Sequence, residues 1–294
     1  MTTTDPDTRL PIAPLDTIQY EALVREELAV DLGSAGDITT NAIVGADVTA
    51  RARVVARQDG RICGLGPALC AFFLLGPVRH KPVVSDGADV TAGATIVELQ
   101  GAARVLLSAE RTALNLLGHL SGIATLTRAV VETVAEVSQA RVVCTRKTTP
   151  GLRVIEKYAV RVGGASNHRF GLHDAVLVKD NHRVIAGGVR PAVEAARARL
   201  GHLVTLEIEV DTIEQLDEAL GAGADVVLLD NMPVADLARA VAMTRGRAVT
   251  EASGGITPET IREVAATGVD VISIGWITHS APALDIGLDF SVPD

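Results

Sequence analysis

The second half of the chain repeats one short pattern: an apolar run that stops at a polar or glycine residue, then a helix-forming stretch. The runs are ARVVCTRK (140–147), DAVLVKDNH (174–182), TLEIEVD (205–211), ADVVLLDN (224–231), AVTEASGG (248–255) and DVISIG (270–275). The last four end at Glu209, Asp230, Ser253 and Gly275, about 22 residues apart, which is the length of one strand–helix unit. Continuous Val/Ile/Leu runs are what strands buried on both faces of a parallel sheet require. The spacing predicts an α/β fold with a parallel α/β barrel of the TIM type, complete or incomplete, over residues 139–280. Between the runs, Ile213, Leu216 and Leu220 fall in helical phase. A later helix is expected to have Thr257 as N-cap, Pro258 as its first residue and Gly268 just past its end.

The first half has a different texture and predicts a smaller N-terminal α+β domain with a connecting helix over residues 15–138, behind a polar tail over 1–14. Asp16 and Gln19 stand at the reciprocal capping positions of a helix over 16–29. Residues 50–58, 60–66 and 83–100 read as short strands, with Asp86-Gly87 as a turn. Ser108 is placed to cap a long helix whose Leu114, Leu117, Ser121 and Ala124 share one face. Residues 281–294 are expected to return to this domain.

Composition excludes several classes of function. With 48% hydrophobic residues the chain is not intrinsically disordered. A net charge of −9 and 2% aromatic residues leave no cationic track and few stacking rings for nucleic acid. Cys63, Cys70 and Cys144 are too scattered for a disulfide framework or a CxxC zinc site. The longest apolar runs, such as 68–77, fall short of the roughly 20 residues that span a bilayer. The start of the chain carries acid where a secretory signal carries base. A cytoplasmic protein that binds neither membrane nor nucleic acid is expected.

In barrels of this kind the chemistry sits at the carboxyl ends of the strands. Lys147, Lys179, Glu209, Asp230 and Ser253 all fall there. Leu206, Ile208 and Val210 alternate with Glu207 and Glu209, so both carboxylates share a face and need cations or a metal as partners. Lys147, Lys179 and a divalent ion are the candidate partners, and Glu207 is read as a structural ion-pair partner only. From Arg146 to Arg183 stand eight Lys and Arg against three Asp and Glu, a local +5 suited to a small polyanion. Arg153 and Lys157 are expected on an ordinary solvated helix face with Glu156. Ser253-Gly254-Gly255, ahead of the helix start, and Ile274-Gly275-Trp276, after the last run, are phosphate-binding candidates. The competing reading of Lys179 is a Schiff-base amine.

Ten segments carry a specific resemblance: GDITT (36–40), AERTALN (109–115), SGIAT (121–125), TRKTTPGLR (145–153), EKYAV (156–160), NHR (167–169), KDNH (179–182), LDN (229–231), EASGGIT (251–257) and THS (278–280). Together they resemble quinolinate phosphoribosyltransferase. The resemblance implies an enzyme that converts quinolinate and phosphoribosyl pyrophosphate to nicotinate mononucleotide, carbon dioxide and pyrophosphate, with magnesium (Mg2+), in NAD biosynthesis. It implies that Arg111, Arg146, His168, Arg169 and Lys179 surround the quinolinate carboxylates and that Thr145 also binds substrate. Lys147, Glu209 and Asp230 would serve phosphoribosyl pyrophosphate and its magnesium, and Ser253, Gly254, Gly255, Ile274, Gly275 and Trp276 its phosphates. Lys147, Lys179, Glu209 and Asp230 would be catalytic. A homodimer is implied, with Arg111 contributed across the interface. Trp276 stands where the family pattern has a smaller residue, which would narrow the phosphate loop.

Overall fold

The computed structural model describes residues 12–291. Residues 1–11 of the expected tail and 292–294 of the expected returning segment lie outside the described residues. In chain order the first elements are α1 (Glu21–Leu32), α2 (Ile38–Ile43), β1 (Thr49–Ala56), β2 (Gly60–Arg61), α3 (Leu65–Leu75), β3 (Val78–Pro82), β4 (Asp89–Val90), β5 (Thr95–Ala102) and α4 (Ala103–Ala135). There follow β6 (Arg141–Val143), α5 (Arg153–Val162), β7 (Val176–Val178), α6 (Asp180–Ala186), α7 (Val189–Arg197), β8 (Leu206–Val210) and α8 (Ile213–Gly221). The chain ends with β9 (Val226–Asp230), α9 (Val234–Thr244), β10 (Val249–Ser253), α10 (Ile261–Ala266), β11 (Val271–Ser273), α11 (Trp276–His279) and β12 (Ile286–Ser291).

Two compact units result. One takes the chain as far as Thr125, then Val154–Gly163 and the segment from Pro282; the other takes Leu126–Arg153 and Gly164–Ala281. This division departs from the expected boundaries at 138/139 and 280/281: residues 126–138 go with the second unit, and 154–163 with the first.

In the first unit β1 alternates exposed Thr49, Arg51 and Arg53 with buried Ala50, Ala52 and Val54, the two-residue period of a strand with one dry face. Its sheet has the order β12-β1-β5-β3, antiparallel throughout. The backbone of the last segment approaches α4 at two glycines: Leu284 N–H donates to the Gly118 carbonyl at 2.9 Å, and a Cβ on Gly122 would collide with the Pro282 carbonyl. Gly122→Ala is therefore expected to destabilise the fold by about 1–3 kcal/mol, the usual cost of overpacking, read as a lowered denaturant midpoint at unchanged slope.

Several local expectations shift. The Asp16–Gln19 box is made, with Asp16 N–H donating to Gln19 Oε1 at 3.0 Å, but it closes a single 3-10 turn over Thr17–Gln19. The backbone of Tyr20 (φ −136°, ψ −15°) breaks the path, and α1 starts only at Glu21. Ser108 caps nothing: α4 begins five residues earlier, directly after β5, and Ser108 Oγ donates to Asp37 Oδ2 at 3.0 Å. Asp37 is itself the N-cap of α2. Of the strand expected over 60–66 only Gly60–Arg61 forms, because α3 takes over at Leu65. In α5, Glu156 and Lys157 are fully buried, not solvated; Glu156 Oε1 meets His119 Nε2 at 2.9 Å.

In the second unit all six apolar runs become strands of one parallel sheet, in the order β6-β11-β10-β9-β8-β7. The first strand lies beside the last, as barrel closure requires. No ladder joins β6 to β7, where one isolated parallel bridge, Val143–Ser166, stands beside β6, so the barrel is incomplete. Ile213, Leu216 and Leu220 of α8 are buried, as their phase predicts. The helix expected to begin at Pro258 begins at Ile261, after a turn in which the Thr257 carbonyl accepts the amides of Thr260 and Ile261. Gly268, at φ +85°, lies just past its end. No described helix is long and apolar enough to cross a membrane.

Candidate active site

The carboxyl ends of the second unit's strands line a cleft of about 610 Å³. Thr145, Arg146 and Lys147 enter it from the loop after β6, His168 and Arg169 from the stretch before β7, and Lys179 from the end of β7. Glu209, Asp230 and Ser253 stand at or next to the ends of β8, β9 and β10, followed by Gly254 and Gly255. The structure thus brings together most of the residues singled out from sequence.

One side of the cleft is cationic. The loop bearing Arg146 and Lys147 is held from behind: Arg153 donates from Nε to Thr148 Oγ1 at 3.0 Å and from its terminal nitrogen to the Arg146 carbonyl at 3.4 Å. Thr278 Oγ1 donates to the Lys147 carbonyl at 2.8 Å. Arg153 is therefore a brace of the site, not part of a solvated face. Arg146 Nε is buried without a hydrogen-bond partner. Burial, then the nearby Arg146, hold the Arg169 guanidinium below its usual pKa. Two such guanidiniums in one wall favour an anion with planar, bidentate oxygens.

The other side is acidic. Glu209, Asp211 and Asp230 place carboxylate oxygens within 4.8 Å of one another. Lys179 Nζ donates to Glu209 Oε2 at 3.0 Å and stays half exposed, unlike an amine nucleophile isolated in an apolar pocket. Burial, then the Glu209 charge, raise the Asp230 carboxyl above the usual range, as an acidic cluster short of positive charge should. Arg183 serves this side from behind, donating to Asp211 Oδ2 at 2.7 Å and bonding Gln215. Asp211 escaped the sequence reading because it stands one residue past its strand, where an Asp is usual turn material.

Between the two sides lies the floor. His168 Nε2 stands 3.0 Å from Glu207 Oε2 and 3.5 Å from Glu251 Oε1. Glu207, read from sequence as an ion-pair partner, meets the His168 imidazole within hydrogen-bond distance. Glu251 was not singled out, although it shares a strand face with Ser253, two residues on. Its carboxyl is pushed up to about 7, by burial first and then by Glu207.

The glycine loop depends on a neighbour that sequence did not reveal. Asn231, at φ +52°, is the one non-glycine residue with positive φ among the described residues. Its side chain lies where a Cβ on Gly254 would collide, and Gly254 and Gly255 both adopt positive φ. The two glycines do not open a helix, since α10 starts six residues after Gly255. Ile274, Gly275 and Trp276 are not on the cleft wall either. Ile274 is buried in the core. Gly275 leaves room for the Lys147 stem, which lies 3.0 Å from where a Cβ would be. Trp276 donates its indole N–H to the Ile256 carbonyl at 2.8 Å, so its ring secures the segment after the glycines. Arg111 lies on α4 in the first unit, exposed and outside the cleft lining.

Comparison with known proteins gives the same frame. The family model described as quinolinate phosphoribosyl transferase, N-terminal domain, matches residues 37–121, and that of the C-terminal domain matches residues 123–289. A probable nicotinate-nucleotide pyrophosphorylase (carboxylating) of Bacillus subtilis is 42% identical over 95% of this chain and 96% of that protein. The nicotinate-nucleotide pyrophosphorylase (carboxylating) of Mycobacterium leprae is 45% identical over 90% of this chain and 95% of that protein. The solved structure of the nicotinate-nucleotide pyrophosphorylase from Francisella tularensis superposes with a TM-score of 0.90 at 38% identity, over 97% of this chain and all of that one. Two family domains in tandem, relatives matched from end to end and a barrel-end cleft of cations facing carboxylates agree: the chain belongs to the quinolinate phosphoribosyltransferase family.

Proposed function

We propose that the chain transfers the phosphoribosyl group of phosphoribosyl pyrophosphate to quinolinate with loss of carbon dioxide, releasing nicotinate mononucleotide and pyrophosphate, in NAD biosynthesis. The observation that carries this reading is the division of one cleft into a guanidinium wall and a carboxylate side, Glu209 and Asp230, with Asp211 close beside them. The first suits an aromatic dicarboxylate and the second the metal-bound pyrophosphate of a sugar donor.

Magnesium fits the second side. Glu209, Asp211 and Asp230 offer only hard oxygen donors within 4.8 Å, and the raised Asp230 carboxyl marks a shortage of positive charge there. When bound, magnesium would neutralise charge gathering on the departing pyrophosphate. Lys147, whose stem lies beside Gly275 on the braced loop, would do the same with its ammonium. Arg146, Arg169 and Lys179 hold the two carboxylates of quinolinate and so aim its ring nitrogen at the anomeric carbon. Once that nitrogen is alkylated, its positive charge stabilises the in-plane carbanion left when the ring carbon–carboxylate bond breaks and carbon dioxide departs, and a proton from water then bonds to that carbon. No protein group need attack covalently. Gly254 and Gly255, in left-handed conformations beside Asn231, offer backbone amides to phosphate. We further propose a cytoplasmic homodimer in which Arg111 of each subunit completes the partner's acceptor pocket. The three buried free cysteines accord with a reducing compartment.

The test is to mix the pure protein with quinolinate, phosphoribosyl pyrophosphate and magnesium, and to look for nicotinate mononucleotide by chromatography. Nicotinate in place of quinolinate should lower kcat/KM by about 10²–10⁴-fold, because one missing carboxylate removes an anionic partner that the guanidinium wall is built to meet. Comparable turnover of nicotinate would sink the assignment of Arg146 and Arg169.

A further inference from the structure

The cleft floor contains more acid than its visible hydrogens can satisfy. Arg169 N–H donates to His168 Nδ1 at 2.8 Å, which leaves the imidazole proton on Nε2. That single N–H faces two carboxylates: Glu207 takes it at 3.0 Å, and Glu251 stands at 3.5 Å. Glu207 Oε1 and Glu251 Oε1 are buried with no hydrogen-bond partner, and the one further donor to the Glu251 carboxyl among the described residues is the Ser273 hydroxyl. Two ionised carboxylates side by side in a buried site repel each other, and a proton held between them removes one charge and supplies the missing donor. Of the pair, Glu251 faces the cleft and Glu207 does not.

We propose, building on the function above, that Glu251 is a charge-matching residue of the acceptor pocket: it holds a proton while the dianionic acceptor is bound, and the acceptor enters with uptake of that proton. Glu251 is surrounded by Glu207 from β8, His168 from the stretch before β7 and Ser273 from β11, with Arg146 and Arg169 lining the same cleft. An ionised Glu251 would oppose an incoming dicarboxylate, whereas a protonated one would not. The sign follows. An anion bound nearby raises the Glu251 pKa further, so uptake occurs above the free-site value of about 7, and affinity weakens as pH rises. A group that merely filled space would leave binding free of any proton.

Calorimetry of wild-type protein with quinolinate alone, in buffers of different ionisation enthalpy, counts that proton, because the ligand is already fully ionised over the range used. Phthalate, an aromatic dicarboxylate without the ring nitrogen, serves as a second probe. Uptake should approach one proton per site at pH 8 and fall to about half of that at pH 7, and above pH 7 the affinity should drop by up to about tenfold per pH unit. Glu251→Gln, which copies the neutral acid, should abolish the uptake and flatten the affinity across that range. Binding without uptake in the wild type overturns the proposal on its own, whatever the variant does. Equal uptake in the Gln variant also overturns it, by placing the proton on another group such as His168. Phthalate binding with uptake in a protein that makes no nicotinate mononucleotide would sustain this inference and remove the assigned activity. Product formation without proton uptake would do the reverse.

Discussion

Glu209→Ala or Asp230→Ala should cut kcat/KM for phosphoribosyl pyrophosphate by about 10²–10³-fold, the size of effect that one group stabilising transition-state charge commands. Quinolinate binding should change little in either variant. The Lys179–Glu209 pair gives the prediction a direction as well as a size. Lys179 Nζ is held 3.0 Å from Glu209 Oε2, so removing that carboxylate frees an ammonium beside the guanidinium wall. Glu209→Ala should then bind quinolinate as well as the wild type does, or better, while losing use of the donor. Asp230→Ala leaves the Lys179–Glu209 pair in place and should lose donor use alone. Calorimetry with quinolinate and steady-state kinetics with varied phosphoribosyl pyrophosphate separate the two effects. Weakened quinolinate binding with unchanged donor kinetics would contradict the division of the cleft.

The distribution of what sequence revealed has a physical basis. The six strands were legible because a strand buried on both faces leaves an unbroken apolar run, and the run ends where the chain meets the cleft. Glu209, Asp230 and Ser253 were legible for the same reason. Glu251 was not, because it sits two residues inside its strand, where nothing local separates a floor residue from a strand residue. Asn231 needed its left-handed backbone to be seen beside Gly254. Helix α3 is apolar on all sides, with Leu65, Ala68, Ala71 and Phe72 buried, so no helical period marks it. The start of α4 was hidden because β5 runs into it without a turn. The burial of Glu156 and Lys157 on α5 reflects long-range packing, which a charge pattern alone reads as a wet face.

Arg111→Ala should fold normally, since the side chain is exposed and forms no ion pair among the described residues. It should nevertheless lose at least about 30-fold in kcat/KM for quinolinate, the lower end of what losing one partner of a desolvated charge pair costs. Arg111 is the one proposed acceptor ligand that lies outside the barrel unit, and an isologous dimer would present it to the neighbouring site twice. Complementation tests this directly. In a heterodimer of Arg111→Ala and Lys147→Ala chains, one site carries both substitutions and the other carries neither. Random reassortment makes half of the dimers mixed, each with one intact site, so the mixture should recover about a quarter of wild-type activity. The doubly substituted chain mixed with wild type is the opposing control. Each mixed dimer then has one site lacking Lys147 and one lacking Arg111, so activity should follow only the residual wild-type homodimer. Native mass spectrometry after joint unfolding and refolding establishes that mixed dimers form. If they form and the Arg111→Ala and Lys147→Ala mixture stays as inactive as its parents, Arg111 does not act across an interface. If the Arg111→Ala homodimer already turns over quinolinate at the wild-type rate, Arg111 is no part of the acceptor pocket.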